Sequence, residues 1–434
     1  CPWWYRCSTA TQAGRLPAPK KLIEYGWDVP TPEFVRQNIR SMERKPFDGV
    51  IMRVAGGKQG NIFLGGKWPE GCLAEDRKHL RMIHWDKFSD NFLMMYAAAE
   101  MDWFSDEHWA GILSNVRQMA QAARDGRCNL AFDAEPYGKN PWAYSQQAHA
   151  GNKGFAEYQA MAYKRGAQFM GTIQKELPAC TLVTLFTYSL FRRLMDIRDP
   201  ASLEKALAGE SYGLYLPFVN GMLSVAGPQV TITDGNEPSY YYTSSEAFFD
   251  AYHMMREGAL SLIPRQLVTP FKLRTQASQA LYMDYVFARV PWKNIPALYM
   301  TPEERAKWFQ HNTYYALKTA DEYVWLYSEQ MNWWQDKDIP EGMEAAVIAA
   351  RQAIAAGKPL GYSMTEIMQR VAAKKEADIA ANLVRRQAEV PGTAGRQAVI
   401  DGDLTDGLWI AAVHLDPFVG VFGTKPGELK ARTD

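Results

Sequence analysis

The chain has 434 residues, of which 47% are hydrophobic, and its 48 basic residues equal its 48 acidic residues in number. The length exceeds the roughly 250 to 300 residues at which a single core usually stops growing, so we expect one large domain with an additional segment. A formal net charge of zero, without a long basic run, excludes the electrostatic pattern of a nucleic-acid-binding protein.

Strand and helix patterns alternate from residue 21 to residue 329. Strands are predicted at residues 21–28, 47–54, 92–97, 127–135, 181–188, 230–234, 279–286 and 323–329. Helical periodicity fills the intervals, at residues 31–43, 106–123, 154–176, 212–226, 244–262 and 301–319. Two of these helices begin with Thr-Pro, at Thr31 and Thr301, which is typical of a helix start. Eight strands alternating with helices predict a (β/α)8 TIM barrel, a fold of the α/β class.

The composition changes after the predicted barrel. Residues 345–356 and 363–386 are rich in Ala, Glu, Lys and Arg, which indicates solvent-facing helices, and residues 390–395 (Val-Pro-Gly-Thr-Ala-Gly) are typical of a linker. We therefore predict four parts: an N-terminal extension (1–20), the barrel (21–340), a helical extension (341–389), and a linker with a short, incomplete β-type segment (390–434).

Cysteine and histidine spacing predicts no metal site, and we expect no cofactor. The five cysteines, at positions 1, 7, 72, 128 and 180, include no CxxC pair, and none of the seven histidines forms a ligand-spaced pair. No run approaches the roughly 20 apolar residues of a transmembrane segment. Cys1 fits a lipid-anchored mature terminus, although a cloning boundary explains it equally well. The expected location is secreted, periplasmic or on the cell surface.

Acidic residues follow several predicted strands, at the end where (β/α)8 enzymes assemble their active sites. Asp133 and Glu135 end strand four as residues i and i+2, so they project to the same face. Two neighbouring negative charges raise the pKa of one of them, which makes Glu135 the candidate proton donor and Asp133 the neighbour that tunes it. Asp234 and Glu237 follow strand six, and Glu329 ends strand eight as a reserve candidate. A salt-bridged barrel rim is the structural alternative.

Aromatic residues are abundant, with 14 Trp, 22 Tyr and 19 Phe, and many lie near predicted strand ends. Rings at a barrel rim stack on the apolar faces of sugars, while polar groups bond the hydroxyls. The predicted substrate-binding residues are Trp27, Asp28, Arg53, Tyr96, Trp103, Tyr137, Trp142, Tyr188, Tyr240, Tyr241, Tyr282, Tyr327 and Trp333. For any single ring, packing in the core or against a loop is the alternative.

Short motifs add resemblances to known families. Asp133-Ala134-Glu135 resembles the Asp-x-Glu signature of family 18 chitinases and related barrels, which implies that Glu135 is the acid. Asn236-Glu237-Pro238 resembles the Asn-Glu-Pro acid/base motif of the large retaining clan of barrel glycosidases. Acids after strands four and six are similar to the catalytic pair of α-galactosidase-like barrels. Residues 400–409 (Ile-Asp-Gly-Asp-Leu-Thr-Asp-Gly-Leu-Trp) resemble the opening of family 9 carbohydrate-binding modules, with a chance match in a folded-back tail as the alternative.

Together these features predict a glycoside hydrolase that cleaves a poly- or oligosaccharide with a pair of carboxyl groups at the carboxyl end of the barrel. Two other classes fit the same residues: a sugar-binding barrel without catalysis, and a barrel hydrolase or lyase with a non-sugar substrate. The sequence predicts neither the sugar and its linkage nor the oligomeric state. The carboxyl separation that distinguishes retention from inversion is a property of the fold.

Overall fold

A computed structural model describes residues 19–64 and 66–382. One parallel sheet contains nine strands: β1 (Lys21–Gly26), β2 (Gly49–Met52), β3 (Phe92–Tyr96), β4 (Asn129–Asp133), β5 (Thr181–Thr184), β6 (Thr231–Asp234), β7 (Thr275–Ala277), β8 (Gln279–Tyr282) and β9 (Tyr323–Ser328). Their order is β7-β6-β5-β4-β3-β2-β1-β9-β8. The two edge strands of this sheet are β7 and β8, which follow each other in the chain, so the sheet curls into a barrel.

The two edge strands are the halves of one bent strand. β7 pairs with β6, β8 pairs with β9, and only Ser278 separates the two halves. The Ser278 amide donates to the Asp234 carbonyl at 2.9 Å, and its hydroxyl donates to the Tyr323 carbonyl at 2.7 Å. Ser278 thus bonds to both flanking strands at the bend. With β7 and β8 counted as one strand, the barrel has eight, and the predicted (β/α)8 barrel is confirmed.

The described residues form twelve α-helices: α1 (Pro32–Met42), α2 (Ala74–Arg81), α3 (Asp106–Gly126), α4 (Phe155–Glu176), α5 (Pro200–Gly209), α6 (Tyr215–Val225), α7 (Ser245–Arg256), α8 (Val268–Arg274), α9 (Met283–Val286), α10 (Pro302–Thr319), α11 (Met343–Ala355) and α12 (Thr365–Asn382). Both Thr-Pro helix starts are confirmed. The Thr31 hydroxyl accepts the Phe34 amide, and Thr301 forms a reciprocal capping box with Glu304.

Short elements account for the differences from the predicted pattern. The helices α2, α5, α8 and α9 were not predicted because each has at most ten residues, too few for a clear period. The strand predicted at 279–286 ends at Tyr282, and its second half is α9, which carries Asp284. The helix predicted at 244–262 ends at Arg256, and a separate 3-10 turn follows at Gly258–Leu262. A run of four residues, such as Met283–Val286, is too short for its pattern to distinguish a strand from a helix.

Close packing of α4 on α6 supports the part of the barrel that carries β4 to β6. A Cβ atom at Gly166 would lie 1.9 Å from the Phe218 carbonyl oxygen, and one at Gly221 would lie 2.0 Å from the Tyr163 carbonyl oxygen. Only glycine lets the two backbones approach this closely. The contact brings the Phe218 ring to 5.3 Å from Trp142, in the core beneath the end of β4.

The C-terminal helices pack on the barrel. Arg351 of α11 donates to the Pro46 carbonyl and forms an ion pair with Asp48 at 2.6 Å, and Arg370 of α12 pairs with Glu304 of α10 at 2.5 Å. In the described part of the chain, no helix has the length and apolar character needed to cross a membrane. The predicted 390–434 segment and the candidate anchor residue Cys1 lie outside the described residues.

Candidate active site

Three glutamates converge at the end of the barrel where the strands terminate, here called the mouth. Glu135 follows β4, Glu237 follows β6 and Glu329 follows β9. They act on one another electrostatically, because the charge of Glu135 contributes to the raised pKa of both Glu237 and Glu329. Three side chains that the sequence separates by about a hundred residues each therefore share one opening, as expected for the carboxyl ends of barrel strands.

Asp133 lies at the end of β4 and supports Glu135. Its side chain is buried, and its Oδ1 accepts the Glu135 backbone amide at 2.8 Å. Burial raises the pKa of Asp133 well above its ordinary value, and the charges of Glu135 and Glu237 raise it further. Tyr137 donates its hydroxyl to Glu135 Oε2 from the other side. Asp133 thus favours its protonated form, while Glu135 carries the more accessible carboxyl group of this pair.

Glu237 stands on a tight turn after β6. Asn236 adopts the left-handed conformation, with φ of 45°, which asparagine tolerates better than most residues. Its side-chain amide donates to Gln279 at 2.7 Å, and the Glu237 amide donates to the Leu185 carbonyl at 3.2 Å. Burial, and then the charge of Glu135, raises the pKa of Glu237 from 4.5 to about 8. A carboxyl group with this pKa is mostly protonated at neutral pH and is able to donate a proton.

Asp234, a further predicted catalytic residue, is engaged in structural hydrogen bonds. Its Oδ1 accepts the Thr187 amide at 3.0 Å and the Ser189 hydroxyl at 2.5 Å, while its Oδ2 accepts the Ser189 amide at 2.8 Å. The residue is buried, and these bonds tie the loop after β5 to the end of β6. We therefore correct its predicted role: Asp234 positions the turn that leads to Glu237.

Glu329 is held by groups from the neighbouring bent strand. The buried Asp284 accepts the backbone amides of Glu329 and Gln330 on its Oδ2, at 2.5 and 3.3 Å. Burial raises the pKa of Glu329, and hydrogen bonds with the Tyr282 and Tyr327 hydroxyls oppose this increase. Asp284 accepts the backbone amide of Glu329 just as Asp133 accepts that of Glu135. A buried aspartate therefore holds the backbone of each of these two glutamates.

Tyrosine rings form one wall of the mouth. Tyr240 stacks on Tyr327 with ring centres 5.8 Å apart and an interplanar angle of 15°, and it lies 5.1 Å from Tyr282. Tyr25, at the end of β1, packs 5.5 Å from Tyr327. The wall brings together the predicted residues Tyr240, Tyr282 and Tyr327, and it adds Tyr25. The sequence could have indicated Tyr25 as a mouth residue, because it lies at the end of an apolar strand, close to Trp27.

Exposed side chains border the same opening. Trp27 and Tyr137 are 67% and 66% exposed, and Tyr241 is 45% exposed. Burial raises the pKa of Tyr96, while its hydrogen bond with Tyr25 and the charge of Arg53 oppose the increase, which places Arg53 beside this tyrosine. Of the predicted substrate-binding residues, Trp27, Tyr137, Tyr241, Tyr96 and Arg53 are therefore accessible or next to the mouth.

Tyr240 and Tyr282 are buried but belong to the tyrosine wall, whereas four other predicted substrate-binding aromatics are buried elsewhere: Trp103, Trp142, Tyr188 and Trp333. The Trp103 indole donates to the Pro141 carbonyl at 3.0 Å and the Trp142 indole donates to the Ala134 carbonyl. The Tyr188 hydroxyl donates to Asn220, and Trp333 packs edge-on against Phe47. These rings follow strand ends in the sequence, but the loops that carry them fold back over the rim. We therefore correct their role to core packing.

Asp28 forms an acid pair with the buried Glu24. Its Oδ2 accepts the Trp333 amide at 2.8 Å, and its carboxyl group is hydrogen-bonded to that of Glu24, which is 0% exposed. Burial raises the pKa of Glu24 well above its ordinary value, and Asp28 raises it further. Glu24 alternates with Tyr25 along β1, so it points to the opposite face of the sheet. The substrate-binding role of Asp28 stays a prediction.

Tyr212 is a mouth residue that the sequence did not indicate. Burial raises its pKa, and the charges of Glu135, Asp133 and Glu237 raise it further, so it lies close to all three acids. Tyr212 precedes α6 in a loop that begins with the unpredicted helix α5, and no strand end marks it. No pattern in the sequence could have identified it.

The fold and the mouth define a (β/α)8 barrel with clustered acids and tyrosines at the carboxyl ends of its strands. No protein-family model and no curated protein matches the chain. Among solved structures, it is similar to a GH5-4 broad specificity endoglucanase from Clostridum cellulovorans, with 12% identity and a TM-score of 0.43 over 77% of this chain and 99% of that chain.

Two further solved structures are similar at the same level. One is a glycoside hydrolase family 5 enzyme from Prevotella bryantii B14, with 11% identity and a TM-score of 0.43 over 76% of this chain and 95% of that chain. The other is a Bacteroidetes-affiliated GH5 cellulase linked with a polysaccharide utilization locus, with 12% identity and a TM-score of 0.41 over 77% and 87%. The barrel assignment itself rests on the strand pairing described above.

Proposed function

We propose that the protein is a glycoside hydrolase in which Glu237 donates a proton and Glu135 is the partner carboxylate. The observation that supports this most directly is the unlike environment of two acids that share the mouth. Both side chains are half-buried, but desolvation, followed by the charge of Glu135, raises the pKa of Glu237 to about 8, whereas Glu135 accepts the Tyr137 hydroxyl. Glycoside cleavage needs one protonated carboxyl and one carboxylate, and unlike environments are how enzymes separate these roles.

This proposal exchanges the roles that the sequence suggested. The Asp133-Ala134-Glu135 motif favoured Glu135 as the proton donor, on the argument that Asp133 would raise its pKa. In the fold, burial raises the pKa of Asp133 and of Glu237. Asp133 is enclosed and bonded to the chain, so Glu237 is the protonated carboxyl that a ligand in the mouth can reach.

The proposed reaction begins when the Glu237 proton passes to the glycosidic oxygen. The bond between this oxygen and the anomeric carbon breaks, and the leaving sugar departs as an alcohol. Glu135 either bonds to the anomeric carbon, for later displacement by water, or removes a proton from a water that attacks this carbon. A carboxyl separation of about 5 to 5.5 Å gives retention and about 6.5 to 9.5 Å gives inversion. NMR of the first-formed anomer distinguishes the two routes.

Other mouth residues fit binding roles in this scheme. Glu329, hydrogen-bonded by Tyr282 and Tyr327, is suited to accept hydrogen bonds from sugar hydroxyls. Trp27 and Tyr241 offer exposed rings for stacking on sugar faces. Several exposed rings around one opening suit more than one sugar unit, so we extend the proposal to a poly- or oligosaccharide. For such a polymer, we expect the protein to act outside the cytoplasm.

Digestion of a glycan panel tests the proposal. The wild type is compared with Glu135→Gln, Glu237→Gln and the control Glu107→Gln, whose side chain is exposed on α3. Each mouth variant is expected to lose about 100-fold or more in kcat/KM, and the control none. The loss in Glu237→Gln should shrink with aryl glycosides that have acidic leaving groups, because these need no proton. A wild type that binds glycans without cleaving any would overturn the proposal in favour of a sugar-binding barrel.

A further inference from the structure

A large cavity opens at the amino ends of the barrel strands, opposite the mouth. Its volume is about 1240 Å³, which exceeds the roughly 300 to 1000 Å³ of most small-molecule sites. The first residues of four strands contribute to its lining: Asn129 of β4, Thr181 of β5, Thr231 of β6 and Thr275 of β7. Residues of α7, α8 and α10 form its sides. The cavity therefore shares no lining residue with the proposed active site.

The cavity is positively charged, although the whole chain has a net charge of zero. Five cationic side chains line it, against two acidic ones, which leaves an excess of three positive charges when His253 is neutral: Lys20, Arg256, Lys272, Arg274 and Lys318 against Asp321 and Glu322. The acids are already hydrogen-bonded. Asp321 accepts the Tyr252 hydroxyl at 3.0 Å, and Glu322 accepts the Gln276 side-chain amide at 3.0 Å.

Three of the cations, Lys272, Arg274 and Lys318, have no acidic partner in the described part of the chain. The Arg274 guanidinium donates to the Pro228 carbonyl, and the Lys318 ammonium lies 5.5 to 6.0 Å from the centres of three aromatic rings. Lys272 and Lys318 are exposed. Within residues 19–64 and 66–382, no acidic side chain lies within 4.0 Å of these three cations. Their charge is available to a ligand, which must then be anionic.

The other lining groups indicate the chemistry of this anion. Hydroxyl and amide side chains line the cavity, namely Asn129, Thr181, Gln229, Thr231 and Gln276, and the ring of Phe249 is 39% exposed beside Lys318. Hydroxyls, amides and an exposed ring match a ligand that is rich in hydroxyl groups and has an apolar face. We infer that this cavity binds an anionic oligosaccharide, with carboxylate or sulfate groups. An acidic peptide has comparable charge without the hydroxyls.

Calorimetric titration of the full chain tests this inference. The probes are an oligogalacturonate, which carries carboxylates, a heparin-derived oligosaccharide, which carries sulfates, a cello-oligosaccharide of equal length, and oligo-glutamate. We expect binding of at least one anionic oligosaccharide, weaker at higher salt because exposed charges are screened. The cello-oligosaccharide should leave this cavity empty. Oligo-glutamate binding as tightly as the anionic sugars would overturn the inference.

Variants locate the binding. Lys272→Ala combined with Lys318→Ala is expected to weaken binding about tenfold, because each exposed charge contact contributes a few-fold to affinity. The matched control is Lys205→Ala, which removes an exposed lysine of α5, away from the cavity. Glu135→Gln should bind the anionic ligand as the wild type does, whether or not the barrel cleaves glycans. Unchanged binding in the double variant, or its loss in Glu135→Gln, would overturn the assignment to this cavity.

Discussion

Replacing Glu237 by glutamine is expected to stabilise the fold at neutral pH while it removes the proposed activity. The pKa of Glu237 rises from 4.5 to about 8 in the folded protein. The folded state therefore keeps a proton that the unfolded chain releases, and the stability of the wild type falls as the pH rises from about 4.5 towards 8. This loss is about 1.4 kcal/mol for each pH unit, or about 3 kcal/mol at pH 7. Glutamine has nearly the same volume and does not titrate.

Urea unfolding at pH 4.5 and pH 7 measures this effect. The free energies of unfolding of the wild type and Glu237→Gln should be similar at pH 4.5, and the variant should be more stable by about 2 to 4 kcal/mol at pH 7. Glu107→Gln, on the exposed face of α3, should follow the wild type at both pH values. A difference that is the same at both pH values would show that Glu237 does not hold the proton. Its role as the donor would then have no physical basis.

Four further variants test the assignments outside the catalytic pair. Asp234→Ala should lower the free energy of unfolding in urea by about 2 to 4 kcal/mol, because it leaves several buried hydrogen-bond donors unpaired. A change near zero would contradict the positioning role of Asp234. Glu24→Gln should diminish the loss of stability as the pH rises above about 4.5, because the folded wild type keeps a proton on Glu24 that the unfolded chain releases. Urea unfolding at pH 5 and pH 9 measures this difference. Trp27→Ala should weaken glycan binding and leave stability within about 0.5 kcal/mol, whereas Trp103→Ala should cost about 3 to 5 kcal/mol. Equal costs would contradict their difference in exposure.

The order of elements in the barrel was predictable from the sequence because it depends on local patterns. Apolar runs marked seven barrel strands and the β8 half of the bent strand, and Thr-Pro pairs marked the starts of α1 and α10. The bend at Ser278 was not predictable, since it arises where β6 and β9 draw one strand to two different partners. The closed sheet, and not the eight residues of the bent strand, determines which strands pair.

The candidate site was also predictable only in part from the sequence. Acids that follow apolar strands indicated Glu135, Glu237 and Glu329, because parallel barrel strands all end at one mouth. The sequence could not show which acid is buried, since desolvation depends on residues far along the chain. Only the fold encloses Asp133, bonds Asp234 to the loop after β5 and raises the pKa of Glu237. The sequence positions of the acids thus identified the candidates, because each follows a strand. The tertiary structure determined the pKa of each acid, because burial depends on residues that are distant in the chain.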